Sequence, residues 1–109
     1  MGGRLDTRIQ FLRKELIDDG LRREDVYQPH GQKVWASRDD ASADEVFRAG
    51  QDAARLMVRF RVKRTAFTSS ITATHRLQSG VQEFEILGIK EVSGRGRILE
   101  VTTIAKLSA

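Results

Sequence analysis

The sequence predicts a mostly β domain, a small antiparallel β-barrel or sandwich of about five or six strands, with two long loops and at most one short helix. Three observations predict it. In residues 55–64, RLMVRFRVKR, Leu56, Val58, Phe60 and Val62 point one way and Arg55, Met57, Arg59, Arg61 and Lys63 the other, because side chains alternate along a strand. Comparable alternation recurs in residues 5–12, 82–92 and 97–107. Between the later runs lie turn-forming clusters such as Ser79-Gly80 and Ser93-Gly94-Arg95-Gly96.

The elements follow in chain order. Residues 5–12 place Leu5, Thr7, Ile9 and Phe11 opposite Arg4, Asp6, Arg8 and Gln10, and read as an edge or barrel strand. A first long loop is expected over about residues 14–32, which hold Asp18-Asp19-Gly20, the charge-dense LRRED and the only proline, Pro29, beside His30-Gly31. It has room for a short extended piece at residues 25–28. Extended character resumes in KVWASR, residues 33–38, where Trp35 between Val34 and Ala36 reads as core. A second long loop is expected over about residues 39–54. There Ser42-Ala43-Asp44-Glu45 matches a capping box, Val46, Ala49 and Ala53 follow at near-helical spacing, and Gly50 interrupts, so the connection is partly helical at most.

Beyond the 55–64 strand, residues 65–70 read as a connection and residues 71–78 as a short extended segment. In residues 82–92 Phe84 and Ile86 oppose Glu83 and Glu85 until Leu87-Gly88-Ile89 shifts the phase, which predicts a bulge or sharp bend. Ser93 to Gly96 form a hairpin turn. The closing run sets Leu99, Val101, Thr103, Ala105 and Leu107 against Glu100, Thr102 and Lys106.

Composition bounds the function. A chain of 109 residues with 39% hydrophobic and 31% charged residues has the size and apolar content of a single domain with a modest core. It contains no cysteine, which excludes disulfides and thiolate metal sites. The start, MGGRLDTR, has no apolar signal core, and no run approaches the roughly 20 apolar residues of a membrane span, so cytosolic synthesis without a membrane partner is the expectation. The net charge of +4 favours nucleic acid or an acidic protein surface as partner, although aromatic residues make up only 6% of the chain and offer few stacking platforms.

Catalytic groups are sparse. His30 and His75 lie far apart in the sequence without zinc-like spacing, and read as surface or turn residues. Ser69-Ser70 and Asp39-Asp40 lack partner motifs. The Ser93–Gly96 glycines sit between two strands and open no helix, so they do not make a phosphate cradle. The expectation is a protein that is not an enzyme and takes no cofactor and no metal. Arg55, Arg59, Arg61 and Lys63 form a basic row along one face of their strand. Its plain reading is a solvated face paired with Glu83, Glu85 or Glu100 on neighbouring strands; the sharper reading is a subunit contact or a contact with DNA phosphates.

Taken together, several stretches resemble the head–tail joining (head–tail adaptor or stopper) family of long-tailed bacteriophages and prophages. They are Gly3-x-Leu5-Asp6-x-Arg8-Ile9, Val34-Trp35-Ala36, Glu45, Arg59-Phe60, Ile71 with Arg76-Leu77 and Gly80, Phe84-Glu85-Ile86 with Gly88-Ile89, and Gly96-Arg97 before Leu99 and Val101. Their order and spacing extend over nearly the whole chain. Residues 14–32 lack the glycine-and-tryptophan pattern often seen in that family, and residues 65–70 look longer than usual.

The resemblance implies a virion neck protein, made in the host cytoplasm, that docks as a ring on the portal or adaptor of a filled head. There it would close the DNA exit channel and offer the tail an attachment surface. It also implies a monomer in isolation, a homo-oligomeric ring when docked, and transient proximity to genomic DNA. The long connection would face the channel or the adjacent ring, through Asp39, Asp40, Asp44, Glu45, Arg48, Gln51 and Asp52. Two alternatives stand beside this reading. One is a small basic barrel that grips nucleic acid through Arg55, Arg59, Arg61 and Lys63; the other is a neighbouring neck or tail-terminator protein.

Overall fold

The structure, a computed structural model, describes residues 5–40, 57–92 and 95–106. Within them lie seven strands, β1 (Thr7–Asp18), β2 (Arg23–Pro29), β3 (Val34–Asp40), β4 (Met57–Lys63), β5 (Arg76–Ser79), β6 (Gln82–Glu91) and β7 (Ile98–Ala105), and one short helix, α1 (Ala66–Ser69). The strands form a single antiparallel sheet.

β1 is shared among three partners. It pairs with β3 over Thr7–Ile9, with β5 over Gln10–Leu12, and with β2 from Leu12 to Asp18. Because β3 leads through β4, β7, β6 and β5 back to β1, the sheet closes on itself like a ring. Leu12 pairs with Pro29 and with Arg76 at once, so β2 and β5 occupy opposite edges of β1.

The inner faces follow from alternation. Ile9 and Phe11 of β1, Val58, Phe60 and Val62 of β4, Leu77 of β5, Phe84 of β6 and Val101 of β7 belong to one buried cluster. Phe60 and Phe84 meet edge-on with ring centres 5.3 Å apart, a geometry that aligns the positive ring edge with the negative face. Thr103, also on the inner face, is accommodated because its hydroxyl donates to the Val58 carbonyl at 2.8 Å. The phase shift of β6 appears as a break in register between Ile86 and Gly88 opposite β7.

Several sequence expectations are corrected. Residues 14–32 are not an irregular loop: β1 continues to Asp18 and returns as β2 through a hairpin, which raises the strand number to seven. Both flanks of this hairpin are exposed from Arg13 to Asp25, so neither face carries the apolar alternation that marks a half-buried strand. Trp35 is not core but 53% exposed, because Val34 and Ala36 take the opposite, inward face of β3. Met57 is buried rather than on the solvated side of β4, and pairs in register with the equally buried Ile104. Residues 71–78 are extended only from Arg76, and residues 65–70 contain α1, whose N-cap Thr65 and Thr68 satisfy each other's amides in a capping box. The second long loop, with its capping box at Ser42–Glu45, lies outside the described residues except Asp39 and Asp40, which belong to β3.

The corner between β2 and β3 rests on close packing at Gly31. Its φ is +71°, and a Cβ there would stand 2.5 Å from the Phe67 ring, whereas Gly20, with φ of +85°, has open space. Gly20→Ala should therefore cost about 1–2 kcal/mol for the left-handed backbone alone. Gly31→Ala should cost about 1–3 kcal/mol more, for the overlap with Phe67. Urea unfolding of the two variants beside the parent checks the difference.

Candidate functional site

The residues expected to act divide by position. Asp39 and Asp40 end β3, exposed, and Asp40 accepts from Arg38 Nε at 3.0 Å. Asp39 stands opposite Arg59 in register. Asp44, Glu45, Arg48, Gln51, Asp52 and Arg55 lie outside the described residues. Arg59, Arg61 and Lys63 share the outer face of β4, where alternation puts them when Val58, Phe60 and Val62 face inward.

Arg61 is engaged rather than free. Its Nε and Nη2 donate to one oxygen of Glu100 at 3.1 and 3.0 Å, across the β4–β7 ladder where the two residues are opposite. Lys90 reaches the other Glu100 oxygen at 3.7 Å. Glu100 is only 5% exposed, and these two cations face its carboxylate in place of water. Two of the five guanidinium N–H groups of Arg61 are thus committed to a buried carboxylate. Lys63, at the open end of the row, is exposed.

The two histidines, separate in sequence, meet in space. Their rings stack at 4.9 Å, and His30 also leans on Phe67 at 5.3 Å. The Thr72 amide donates to His75 Nδ1 at 3.1 Å, and the His30 amide donates to the Phe11 carbonyl at 2.8 Å. The pair thus joins the β2–β3 corner to the link between α1 and β5. Burial and the charge of His30 hold the His75 pKa below its usual 6.5. Among the described residues no group of three or more His, Asp or Glu is placed to hold a metal ion.

Two surface features were missed in the sequence. The first is the β1–β2 tip, where Asp18 pairs with Arg23 and residues 19–22 form the turn. Asp19 accepts from the Leu21 and Arg22 amides, both at 2.9 Å, and Asp18 from the Gly20 amide at 3.0 Å. The Arg22 amide, then that of Leu21, lowers the Asp19 pKa. Asp19-Gly20 is a strong hairpin signal, masked here by the dense charge around it. The second is an open cleft of about 460 Å³ at the other end of β1, walled by Leu5, Val34 and Trp35 and edged by Lys33, Lys63 and Thr68. The Arg8 guanidinium lies over the Trp35 ring at 5.3 Å.

The architecture is matched by known proteins. A model of the phage head completion protein family matches residues 1–106. The chain belongs to that family. As a head completion protein its role is structural. No curated protein matches the sequence. Among solved structures, a chain in the virion of a native gene transfer agent particle is 23% identical, with a TM-score of 0.70 over 98% of this chain and 99% of that one. A protein of Shigella flexneri 2a, solved in solution, is 20% identical with a TM-score of 0.73, covering 98% of this chain and 97% of its own. At these identities the likeness establishes the shared fold.

Two outcomes follow for this head completion protein. Arg61→Ala should destabilise it by about 1–3 kcal/mol, because Glu100 stays buried with both Arg61 hydrogen bonds removed. Lys63→Ala should stay within about 0.5 kcal/mol, as expected of an exposed side chain. Chemical denaturation separates the two. In a pH series, the unfolded chain takes up a proton at His75 before the folded one does. The His75 contribution is therefore complete above about pH 6.5 and declines as pH falls from there through the lowered folded value. His75→Gln should flatten that part of the stability profile.

Proposed function

We propose that this head completion protein docks as a ring on the portal or adaptor of a DNA-filled phage head, closes the exit channel and presents the surface to which the tail attaches. The observation that carries the reading is the family match across residues 1–106. The protein is a structural component, not an enzyme, and needs no cofactor. It is present in the host cytoplasm during assembly and in the neck of the finished virion. It is a monomer in isolation and a ring when docked. Its neighbours are portal or adaptor proteins on one side and tail proteins on the other, with genomic DNA passing close by.

The chemistry of the chain is consistent with that role. A small closed sheet brings little contact area of its own, so a ring depends on many repeated contacts rather than one extensive interface. A DNA-gripping role for the basic row has less support, since Arg61 is held by Glu100. Residues 39–54, with Asp44, Glu45, Arg48, Gln51 and Asp52, are the segment assigned here to the channel or the adjacent ring.

Deletion of residues 43–52 tests this assignment. The expected outcome is a chain with unchanged far-ultraviolet circular dichroism, and particles whose filled heads lose DNA or fail to accept tails. Infectious particles at the parental titre would refute it. Loss of the whole gene should produce the same filled, tailless heads, and the purified parent chain added to them should restore tail joining.

A further inference from the structure

The β1–β2 tip and the Trp35 cleft have no partner among the described residues, and their chemistries complement each other. At the tip Leu21 is 95% exposed, with Leu16 at 51% and Ile17 at 46%. Asp18 and Asp19 hold the turn in one shape through the Gly20, Leu21 and Arg22 amides, so little conformational freedom is lost when it docks. The exposed part of the hairpin, residues 13–25, carries five acids against four bases, a net charge of −1, and Asp25, Glu24 and Asp18 are ion-paired within it to Lys14, Arg22 and Arg23 respectively. The cleft has apolar walls of Leu5, Val34 and Trp35, two lysines at its edge, Arg8 over its tryptophan and, among the described residues, no carboxylate in its lining. An exposed leucine carried on a hairpin of slight negative charge suits such a site in polarity and in the sign of its charge.

The tip cannot reach the cleft of its own chain. Trp35 pairs with Arg8 near the start of β1, and the turn begins after Asp18, ten residues further along the same strand. At about 3.3 Å per residue the separation is roughly 33 Å, spanned by a hydrogen-bonded ladder that does not fold back. A contact between these two surfaces therefore joins different copies. It is heterologous, since the surface used on one copy differs from that used on the next, and contacts of this kind form closed rings when the rotation between copies allows.

We propose that the β1–β2 tip of one copy seats Leu21 in the Trp35 cleft of the next, with the hairpin's carboxylates toward Lys33, Lys63 and Arg8. This contact rests on the ring reading of the protein and specifies which surfaces make the ring. It buries the tip leucine and the exposed face of Trp35 together, and its electrostatic part weakens with salt.

The chain has no cysteine and a single tryptophan, which makes the test direct. Full-length chain carrying Leu21→Cys and Lys33→Cys, concentrated and oxidised, should give a ladder of disulfide-linked dimers, trimers and higher multimers. Each single-cysteine variant should give no ladder, and the separation within one chain prevents an internal bridge. The isolated parent chain is monomeric when dilute, so its Trp35 emission should shift to the blue only at the high concentrations that populate the contact. Leu21→Ser should weaken that self-association about tenfold or more. Lys33→Glu with Lys63→Glu should abolish it, and mixing that variant with a Glu24→Lys, Asp25→Lys chain should restore mixed dimers. These positions are exposed, so the melting temperature of each variant should stay near that of the parent.

Dimers from Leu21→Cys alone that match the double variant in yield would overturn the proposal in favour of a symmetric tip-to-tip contact. Absence of both the ladder and the blue shift would overturn it outright. A Leu21→Ser chain that no longer self-associates through the cleft yet still restores tail joining would overturn the contact as a ring element and leave the head-completion reading intact. Failure of the parent chain itself to restore tail joining counts against that reading instead.

Discussion

The fold depends on one strand serving three partners. Thr7–Ile9 of β1 pair with β3 and Gln10–Leu12 with β5, and these two short ladders convert an open sheet into a closed one. Without the β1–β5 pairing, both strands would present open edges to solvent, where unpaired amides and carbonyls invite pairing with other chains. Closure also defines an inside. Phe11, Phe60 and Phe84 converge there from β1, β4 and β6, and the depth of their burial follows from the ring rather than from any one strand.

The same strand separates core from display. Up to Leu12 its side chains alternate between core and exterior; beyond Leu12 they are exposed on both faces, and pairing with β2 alone keeps the strand extended. Hairpin hydrogen bonds and ion pairs such as Lys14 with Asp25, at 3.2 Å, replace apolar burial there. Exposed pairs of this kind contribute little each, so the outer hairpin is the least strongly held part of the described sheet. Surfaces that must contact other molecules are commonly carried in this way, on an extension from a closed body.

Charge on the outer face follows the ladders closely. Arg61 opposes Glu100 across β4 and β7, Arg59 opposes Asp39 across β3 and β4, and Arg76 opposes Glu85 while binding Glu83 at 2.8 Å. What looks like a basic stripe in one strand becomes a mixed-charge surface once the neighbours are in register. An excess of +4 over the whole chain therefore does not imply a single cationic face.

Alternation alone made Val58, Phe60, Val62, Phe84 and Val101 recognisable as inward residues, and Gly88 as the break in β6, because side-chain direction along a strand is a local property. The β1–β2 hairpin escaped notice because its outer part, residues 13–25, is exposed on both faces. Trp35 was misread because its sequence neighbours Val34 and Ala36 suggested a core, whereas a period of two places adjacent residues on opposite faces. The sequence by itself determined the β class, the inner faces of the central strands and, through ordered short motifs, the family. Only the tertiary structure decided that β1 closes the sheet, that His30 stacks on His75, that Arg61 serves Glu100, and that an exposed leucine tip and a lysine-edged tryptophan cleft stand at opposite ends of one strand. Those outcomes depend on register and on contacts between residues distant in the chain, which no local pattern encodes.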